Sequence, residues 1–173
     1  SGEVLKTDAK TAEMAKLTEN SYRDVNIAFA NELSILCDKF EINPWELIAL
    51  ANRHPRVNIL QPGAGVGGHC IAVDPWFIVH KGGKDAKIIR AAREVNNYKT
   101  EWSIEKIKNA ALEFKNKNGR DARVACMGLA FKPDIDDVRE APAGYITRTL
   151  IAAGIDILVV APNLVSHPAC QII

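Results

Sequence analysis

The sequence predicts a mainly α-helical region followed by an incomplete parallel α/β unit. Three observations support this fold class. Apolar residues recur at helical spacing through residues 1–116, except in 55–85, and short apolar runs replace that spacing after residue 120. The exception, 55–85, contains a stretch rich in glycine and proline. We therefore expect long helices, a loop-rich interruption and then a β-α-β unit.

Three helices are predicted before residue 120. The first runs from Thr11 to about Lys39 without Gly or Pro, and the second begins at the N-cap Asn43 with Pro44 in its first turn and continues to Pro55. The third runs from about Ala86 to Asn116 and ends at Gly119. The apolar residues expected to be buried on the first are Leu17, Val25, Ala28, Phe29, Leu33 and Leu36. Those on the third are Ile88, Ala92, Val95, Trp102, Ile107, Ala111 and Phe114.

The chain after residue 120 is expected to form the start of a parallel sheet. Arg123–Leu129 and Ile155–Val160 are short apolar runs typical of buried strands, and a helix over about 141–153 lies between them. Two strands are too few for an independent sheet, so we expect the chain to be truncated.

Composition excludes several classes of partner. The 22 Lys and Arg nearly balance the 21 Asp and Glu, which disfavours a nucleic-acid-binding surface. No apolar run approaches the ~20 residues of a membrane-spanning helix. The four cysteines are unevenly spaced without a CxxC motif, which favours reduced thiols and a cytoplasmic location.

The stretch 56–75 is predicted to be a loop that shapes a site. It contains G-x-G-x-x-G at Gly63, Gly65 and Gly68, but Pro75 follows too soon for the helix that a dinucleotide-binding loop requires. The glycines instead allow close backbone approach and place Cys70 at the end of the loop. Cys70 is therefore a candidate nucleophile, with an inert, half-buried thiol as the alternative.

Other polar residues allow more than one interpretation. A metal site of His54, His69, Cys70 and His80 fits no common zinc spacing. Lys16, Asn20 and Arg23 share one face of the first helix, either as part of a site or as a solvated row. Lys132 and Arg139 follow the first predicted strand, where open α/β sheets bind ligands, and phosphate binding and a plain surface loop are both open there.

Taken together, three ordered motifs resemble the signature of the UDP-sugar 6-dehydrogenases. They are Lys16–Asn20, the loop from Gly63 to Asp74, and Gly128–Lys132 with Asp137–Glu140. His69 before Cys70, and Val73 where UDP-glucose dehydrogenases carry a lysine, resemble the N-acetylhexosamine branch. The stretch 50–63 is similar to the UDP-N-acetyl-D-mannosamine dehydrogenases. UDP-N-acetylglucosamine and UDP-glucose remain open as alternative substrates.

The resemblance implies a fold and a reaction. It implies a helical central domain over 1–118 with its nucleophile loop at 56–75, and a truncated, Rossmann-like UDP-binding domain over 119–173. An N-terminal NAD-binding domain would be absent, so the chain alone should be inactive. The implied reaction is the NAD-dependent, four-electron oxidation of the sugar C6 alcohol to a carboxylate.

The resemblance also assigns residue roles. Cys70 would be the covalent nucleophile, assisted by Lys16, Asn20 and Asp74. Arg139 would contact NAD. The UDP-sugar would be bound by Lys16, Asn20, Arg23, His54, Arg56, Gly67, Phe131 and Lys132, with His54 and Arg56 as candidates for reaching a neighbouring subunit. Because apolar residues of the third helix exceed one face, we expect a homodimer. A helical oligomerisation module is the alternative of a different class.

Overall fold

The computed structural model describes residues 4–130, 138 and 140–161. Five α-helices and two strands follow one another in these ranges. They are α1 (Ala9–Lys39), α2 (Pro44–Ala51), α3 (Asp74–Gly82), α4 (Lys87–Asn118), β1 (Arg123–Met127), α5 (Pro142–Ala152) and β2 (Asp156–Val160). A short 3-10 turn, Gly83–Asp85, joins α3 to α4. The predicted fold class, a mainly helical region followed by an incomplete parallel α/β unit, is confirmed.

Local sequence signals fix most helix ends. Asn43 caps α2 by accepting hydrogen bonds from the Trp45 and Glu46 amides, with Pro44 in the first turn. Gly119 ends α4 in the left-handed conformation, at φ 66°. The prediction for the end of α2 was wrong, because this helix stops at Ala51, before Pro55.

Helix α3 begins at Asp74, at the end of the glycine-rich stretch. The prediction treated Pro75 as a residue that interrupts structure, and this was wrong because Pro75 lies in the first turn of α3. A proline is tolerated there because the first helical amides have no partner within the helix. Helix α3 packs against both α1 and α4. The residues just after Cys70 are therefore anchored to the helical body.

Helices α1 and α4 pack along each other, and their contact faces differ from the prediction. The expected apolar residues Phe29, Leu36 and Ile88 are exposed. The expected residues Ala28 and Ala92 are buried. The buried residues of the two helices are mainly polar or small, and they are Asn20, Ser21, Asp24, Ala28, Ala30, Asn31, Ser34, Cys37, Ala92, Arg93, Asn96, Lys99, Thr100 and Ile104. Paired polar side chains between the two helices replace much of the expected apolar seam.

The two strands form a parallel pair in which Arg123 faces Asp156 and Met127 faces Val160. Helix α5 connects them, and its Ile146 and Leu150 pack on Ile104 of α4. Strand β1 alternates between half-buried and exposed residues, and Met127 is 78% exposed. The prediction of a buried first strand was therefore wrong, because none of the described elements covers its outer face.

Candidate active site

The glycine-rich loop is held where it enters the helical body. The Gly63 amide donates a 2.8 Å hydrogen bond to Asn31 Oδ1 of α1. Thr100 Oγ1 of α4 donates a 2.8 Å hydrogen bond to the carbonyl of Ala64, the next residue. Gly63 and Ala64 are thus fixed to the two long helices.

Gly65 lies too close to α4 for any side chain. Its φ is +132°, and a Cβ built there would lie 2.2 Å from Thr100 Oγ1 and 3.3 Å from the Asn96 carbonyl oxygen. Only glycine combines that backbone conformation with such a close approach. This requirement explains one glycine of the motif without invoking a dinucleotide.

Cys70 lies in a turn that follows Gly68, whose φ is +86°. The Cys70 carbonyl accepts hydrogen bonds from the amides of Val73, at 3.2 Å, and Asp74, at 2.8 Å. Cys70 is exposed, whereas Cys37 is buried and Cys126 is half-buried. Of these three cysteines, Cys70 is the most accessible to a substrate.

Asp74 joins this turn to α1. Its Oδ2 accepts a 2.6 Å hydrogen bond from Asn20 Nδ2, across 54 positions of the chain. Asn20 is 2% exposed. A charge-assisted bond at this depth is stronger than a neutral one, so it fixes the turn that carries Cys70 against α1.

Lys16 lies one helical turn before Asn20 and is exposed. Its ammonium contacts both carboxylate oxygens of Glu19 at 3.1 Å. Because such exposed pairs stabilise a fold by only ~0–1 kcal/mol, this contact leaves Lys16 free to change partners. Arg23, on the same side of α1, is also exposed.

Two family models match the chain. The central-domain model of the UDP-glucose/GDP-mannose dehydrogenase family matches residues 10–98, and the UDP-binding-domain model of that family matches residues 125–171. The chain belongs to this family. The central-domain match contains Lys16, Asn20, Cys70 and Asp74.

Relatives and solved structures agree with this membership. The chain is 62% identical to a UDP-N-acetyl-D-mannosamine dehydrogenase of Campylobacter jejuni, over 96% of this chain and 40% of that protein. It is 57% identical to an NDP-N-acetyl-D-galactosaminuronic acid dehydrogenase of Ralstonia solanacearum, over 97% of this chain and 39% of that protein. The solved UDP-N-acetyl-mannosamine dehydrogenase Cap5O from S. aureus superposes with a TM-score of 0.82 at 43% identity, covering 99% of this chain and 40% of that one. The chain thus spans about 40% of the length of these family members.

Two further predicted site residues of this family member lie in the turn after α2. Asn52 holds that turn closed, since its side chain donates to the Ile59 carbonyl at 3.0 Å and accepts from the Ile59 amide at 2.7 Å. His54 and Arg56 are exposed, and His54 Nδ1 accepts from the Arg56 amide at 3.2 Å. Among the described residues, no hydrogen bond or ion pair joins either side chain to the glycine loop.

The other predicted contacts divide into two groups. Gly67 lies half-buried within the loop, two residues after Gly65. Phe131, Lys132 and Arg139 lie outside the described residues, although the family's UDP-binding-domain match includes them.

Within the described ranges, no three His, Cys, Asp or Glu side chains group as metal ligands. None of the described helices is both long and apolar enough to span a membrane.

A buried ion pair behind the loop was missed from the sequence. Asp24 Oδ1 accepts from Arg93 Nη1 at 2.7 Å, and the two side chains are 0% and 3% exposed. Asn96 Nδ2 donates to the same carboxylate oxygen at 2.8 Å. Burial raises the pKa of the Asp24 carboxyl, and Arg93 and Asn96 offset only part of that rise. Polar residues spaced three, four or seven apart on both helices were the available signal, but their pairing is a tertiary contact.

A second feature missed from the sequence is a cleft of about 420 Å³ beside the start of the loop. Lys99, Trp45, Trp102 and Gly63 are among its lining residues. Lys99 Nζ donates to Ser34 Oγ at 2.9 Å and lies 3.8 Å from the centroid of the Trp102 ring. Burial lowers the pKa of Lys99 to about 8, despite the opposing charge of Asp38.

Proposed function

We propose that the protein containing this chain oxidises the C6 alcohol of UDP-N-acetyl-D-mannosamine to the carboxylate, with NAD as the oxidant and Cys70 as the covalent nucleophile. The observation that carries the proposal is the placement of an exposed Cys70 between the glycine loop and the Asn20–Asp74 hydrogen bond of 2.6 Å. Because the chain spans about 40% of its relatives, the activity belongs to the complete protein.

The chemistry follows from a thiol attacking an aldehyde. The Cys70 thiolate adds to the C6 aldehyde and forms a thiohemiacetal, and loss of hydride from this adduct leaves a thioester. Water then cleaves the C–S bond, releasing the carboxylate and the thiol. NAD, when bound, accepts one hydride in each of the two oxidations. The overall balance is one alcohol, one water and two NAD⁺ giving one carboxylate, two NADH and three protons.

The side chains that we assign to the site suit these steps. A free cysteine has a pKa of ~8.5 and is mostly protonated at neutral pH, so nearby positive charge promotes the reaction. We assign this role to Lys16, on the same face of α1 as Asn20, and it can also stabilise the oxyanion of the adduct. Asp74, which accepts a hydrogen bond from Asn20, is our candidate for accepting a proton from the hydrolytic water. In this scheme Asn20 fixes Asp74 and orients the oxyanion or the water.

We assign the remaining predicted residues to binding. Arg23, His54 and Arg56 supply positive or donor groups for the nucleotide sugar, and all three are exposed. Gly67 allows close approach of the loop backbone. Phe131 and Lys132 complete the UDP-sugar contacts and Arg139 contacts NAD. These last three lie outside the described residues.

The choice of sugar rests on the names of the relatives. Two of the sequence relatives compared above are dehydrogenases of different N-acetylhexosamine derivatives, at 62% and 57% identity. UDP-N-acetyl-D-mannosamine is therefore the first candidate. UDP-N-acetylglucosamine, UDP-N-acetylgalactosamine and UDP-glucose are the alternatives that a substrate panel must include.

The test uses a full-length enzyme that contains this sequence, assayed for NADH and for the uronic acid product. Cys70→Ser should abolish acid formation, because a serine hydroxyl is barely ionised at neutral pH and its ester hydrolyses more slowly than a thioester. Cys126→Ser, at a half-buried cysteine on β1, is the matched control and should retain activity. Undiminished acid formation by Cys70→Ser would refute the mechanism.

We also propose a homodimer in which α4 contributes to the interface. Tyr98 and Leu112 are 57% exposed, lie two heptads apart and therefore share one outer face of α4. Trp102 is half-buried and lines the cleft beside the loop. The competing function is a helical oligomerisation module without catalysis. If the chain had only that function, Cys70→Ser would form as much acid as the parent.

A further inference from the structure

Two side chains outside the proposed catalytic group fix the glycine loop on opposite sides. Asn31 accepts from the Gly63 amide, and Thr100 donates to the Ala64 carbonyl, each at 2.8 Å. Asn31 is 0% exposed and Thr100 is 9% exposed. Neither is accessible to a substrate, so their effect on chemistry would be exerted through the loop.

Asn31 is itself fixed by a chain of buried hydrogen bonds. Its Nδ2 donates to Asn96 Oδ1 at 2.8 Å, and Asn96 Nδ2 donates to Asp24 Oδ1 at 2.8 Å. Arg93 Nη1 donates to the same carboxylate oxygen at 2.7 Å. Buried amides whose oxygen and nitrogen both have partners have few alternative orientations, because an unpaired one is costly. The acceptor presented to Gly63 therefore has a defined position.

The loop lies directly on the Thr100 hydroxyl. A Cβ at Gly65 would come within 2.2 Å of Thr100 Oγ1 and 3.2 Å of Pro142 Cγ. The backbone between this contact and Cys70 includes Gly67 and Gly68, which restrain it little by themselves. The distance between this loop backbone and α4 is therefore set by Thr100 at one end of the loop and by the Asn20–Asp74 hydrogen bond at the other.

We propose that Thr100 and Asn31 are positioning residues that place the Cys70 thiol for attack. This inference rests on the proposed function of Cys70 as the nucleophile. Catalytic groups must be held in a near-attack geometry, and a displacement of ~1 Å can reduce a rate by ~100-fold. Loss of the Thr100 bond frees one end of the loop while leaving the cysteine and its neighbours unchanged.

The test compares variants at position 100 that either remove or keep the hydroxyl. Thr100→Val removes the hydroxyl, and we expect kcat of the full-length enzyme to fall at least tenfold while KM changes less than threefold. Thr100→Ser retains the hydroxyl and should restore kcat to within twofold of the parent. In deuterium exchange on this chain, Thr100→Val should speed exchange across 61–70 and leave α5 unchanged.

The matched control is Thr147→Val in α5. Thr147 is 2% exposed and donates to Cys126 Sγ at 3.2 Å, so this substitution also removes one buried hydroxyl bond. Deuterium exchange across 61–70 and kcat should be the same in Thr147→Val as in the parent. If Thr100→Val fails to fold, Thr100→Ala leaves room at the Ala64 carbonyl and should give the same tenfold loss.

Failure of the positioning role can be distinguished from failure of the proposed function. A folded Thr100→Val or Thr100→Ala enzyme with kcat within twofold of the parent, measured where Cys70→Ser is inactive, would overturn the positioning role alone. Retained acid formation by Cys70→Ser would overturn the proposed function, and with it the catalytic role of Thr100 and Asn31. Faster loop exchange with a lower melting temperature but an unchanged kcat would mark a merely structural role and would also overturn the proposal.

Discussion

Asn20 and Asp74 lie 54 positions apart and share a 2.6 Å hydrogen bond that joins α1 to the turn after Cys70. The donor is almost completely buried, whereas Asp74 is half-buried. The bond therefore fixes the Asp74 side chain against α1, next to the turn that carries the proposed nucleophile.

The substitution Asn20→Asp should make stability depend on pH. Two carboxylates at this distance cannot both ionise cheaply, so the pair will retain a proton that the unfolded chain releases. The folded variant then binds more protons above about pH 4, and its stability relative to the parent should fall as pH rises toward 8. Chemical denaturation at several pH values measures this.

A matched variant for that experiment is Asn26→Asp. Asn26 lies on the same helix and donates to the Tyr22 carbonyl at 2.6 Å, but its change places no second carboxylate beside Asp74. Its pH dependence should follow the parent from pH 4 to 8. If the free energy of unfolding varied with pH in the same way in Asn20→Asp and Asn26→Asp, the role assigned to the Asn20–Asp74 hydrogen bond would be contradicted.

The buried ion pair of Asp24 and Arg93 should be strongly coupled. Removing one partner of a buried pair leaves an uncompensated charge and costs ~3–5 kcal/mol, so Asp24→Leu and Arg93→Met should each be severely destabilising. The double variant should lose less than the sum of the two. A double-mutant cycle from urea unfolding measures the coupling, and additive losses would argue against it.

The start of α2 and the end of α4 were predictable because local signals lie there, whereas α3 was not predicted. Asn43 and Pro44 at the start of α2, and Gly119 after α4, act through backbone geometry within one turn. Apolar spacing predicted the buried faces of α1 and α4 only in part, at Ala28 and Ala92. Asp24 and Arg93 are 69 positions apart, and only the tertiary pairing makes their burial acceptable.

The candidate site, like the helices, was predictable from the sequence only in part. The glycines and Cys70 formed a recognisable local pattern, and in the structure Asp74 accepts a hydrogen bond from Asn20. Thr100 and Asn31 carried no local signal, because each is an ordinary helix residue whose role depends on which backbone atom lies opposite. Pro75 was misinterpreted because a proline that ends one element can begin another.

The buried Lys99 should make folding more favourable at alkaline pH. Its pKa is about 8 in the folded chain, against an ordinary value of 10.5. Between these values the unfolded chain holds the proton and the folded chain does not, so stability rises with pH in that window. Lys99→Met should remove this rise. Thermal unfolding of both proteins from pH 7 to 10 tests it, and identical slopes would contradict it.

The proposed dimer should depend on the exposed apolar face of α4. Leu112→Lys places a charge where Leu112 is 57% exposed and should raise the dissociation constant at least tenfold. Ala110→Lys, at an exposed position on the opposite side of α4, should have little effect. Sedimentation velocity at tens of micromolar measures both. A monomeric parent protein would refute the dimer.

Gly65 and Gly119 provide a final test of how closely the loop approaches α4. Both have positive φ, +132° and +66°, so alanine is strained at either position. Only Gly65 has atoms within reach of an added methyl, since nothing lies within 4 Å of a Cβ at Gly119. We expect Gly119→Ala to cost ~1 kcal/mol. Gly65→Ala should cost at least ~2 kcal/mol, because the methyl must also displace the Thr100 hydroxyl.

The same pair of variants should differ in the loop itself. Displacement of Thr100 Oγ1 removes its bond to the Ala64 carbonyl, so Gly65→Ala should accelerate deuterium exchange across 61–70 as Thr100→Val does. Combining Gly65→Ala with Thr100→Ala removes the clashing oxygen and should recover part of the lost stability. Additive losses in the double variant, from urea unfolding, would mean that the hydroxyl does not support the loop at this point.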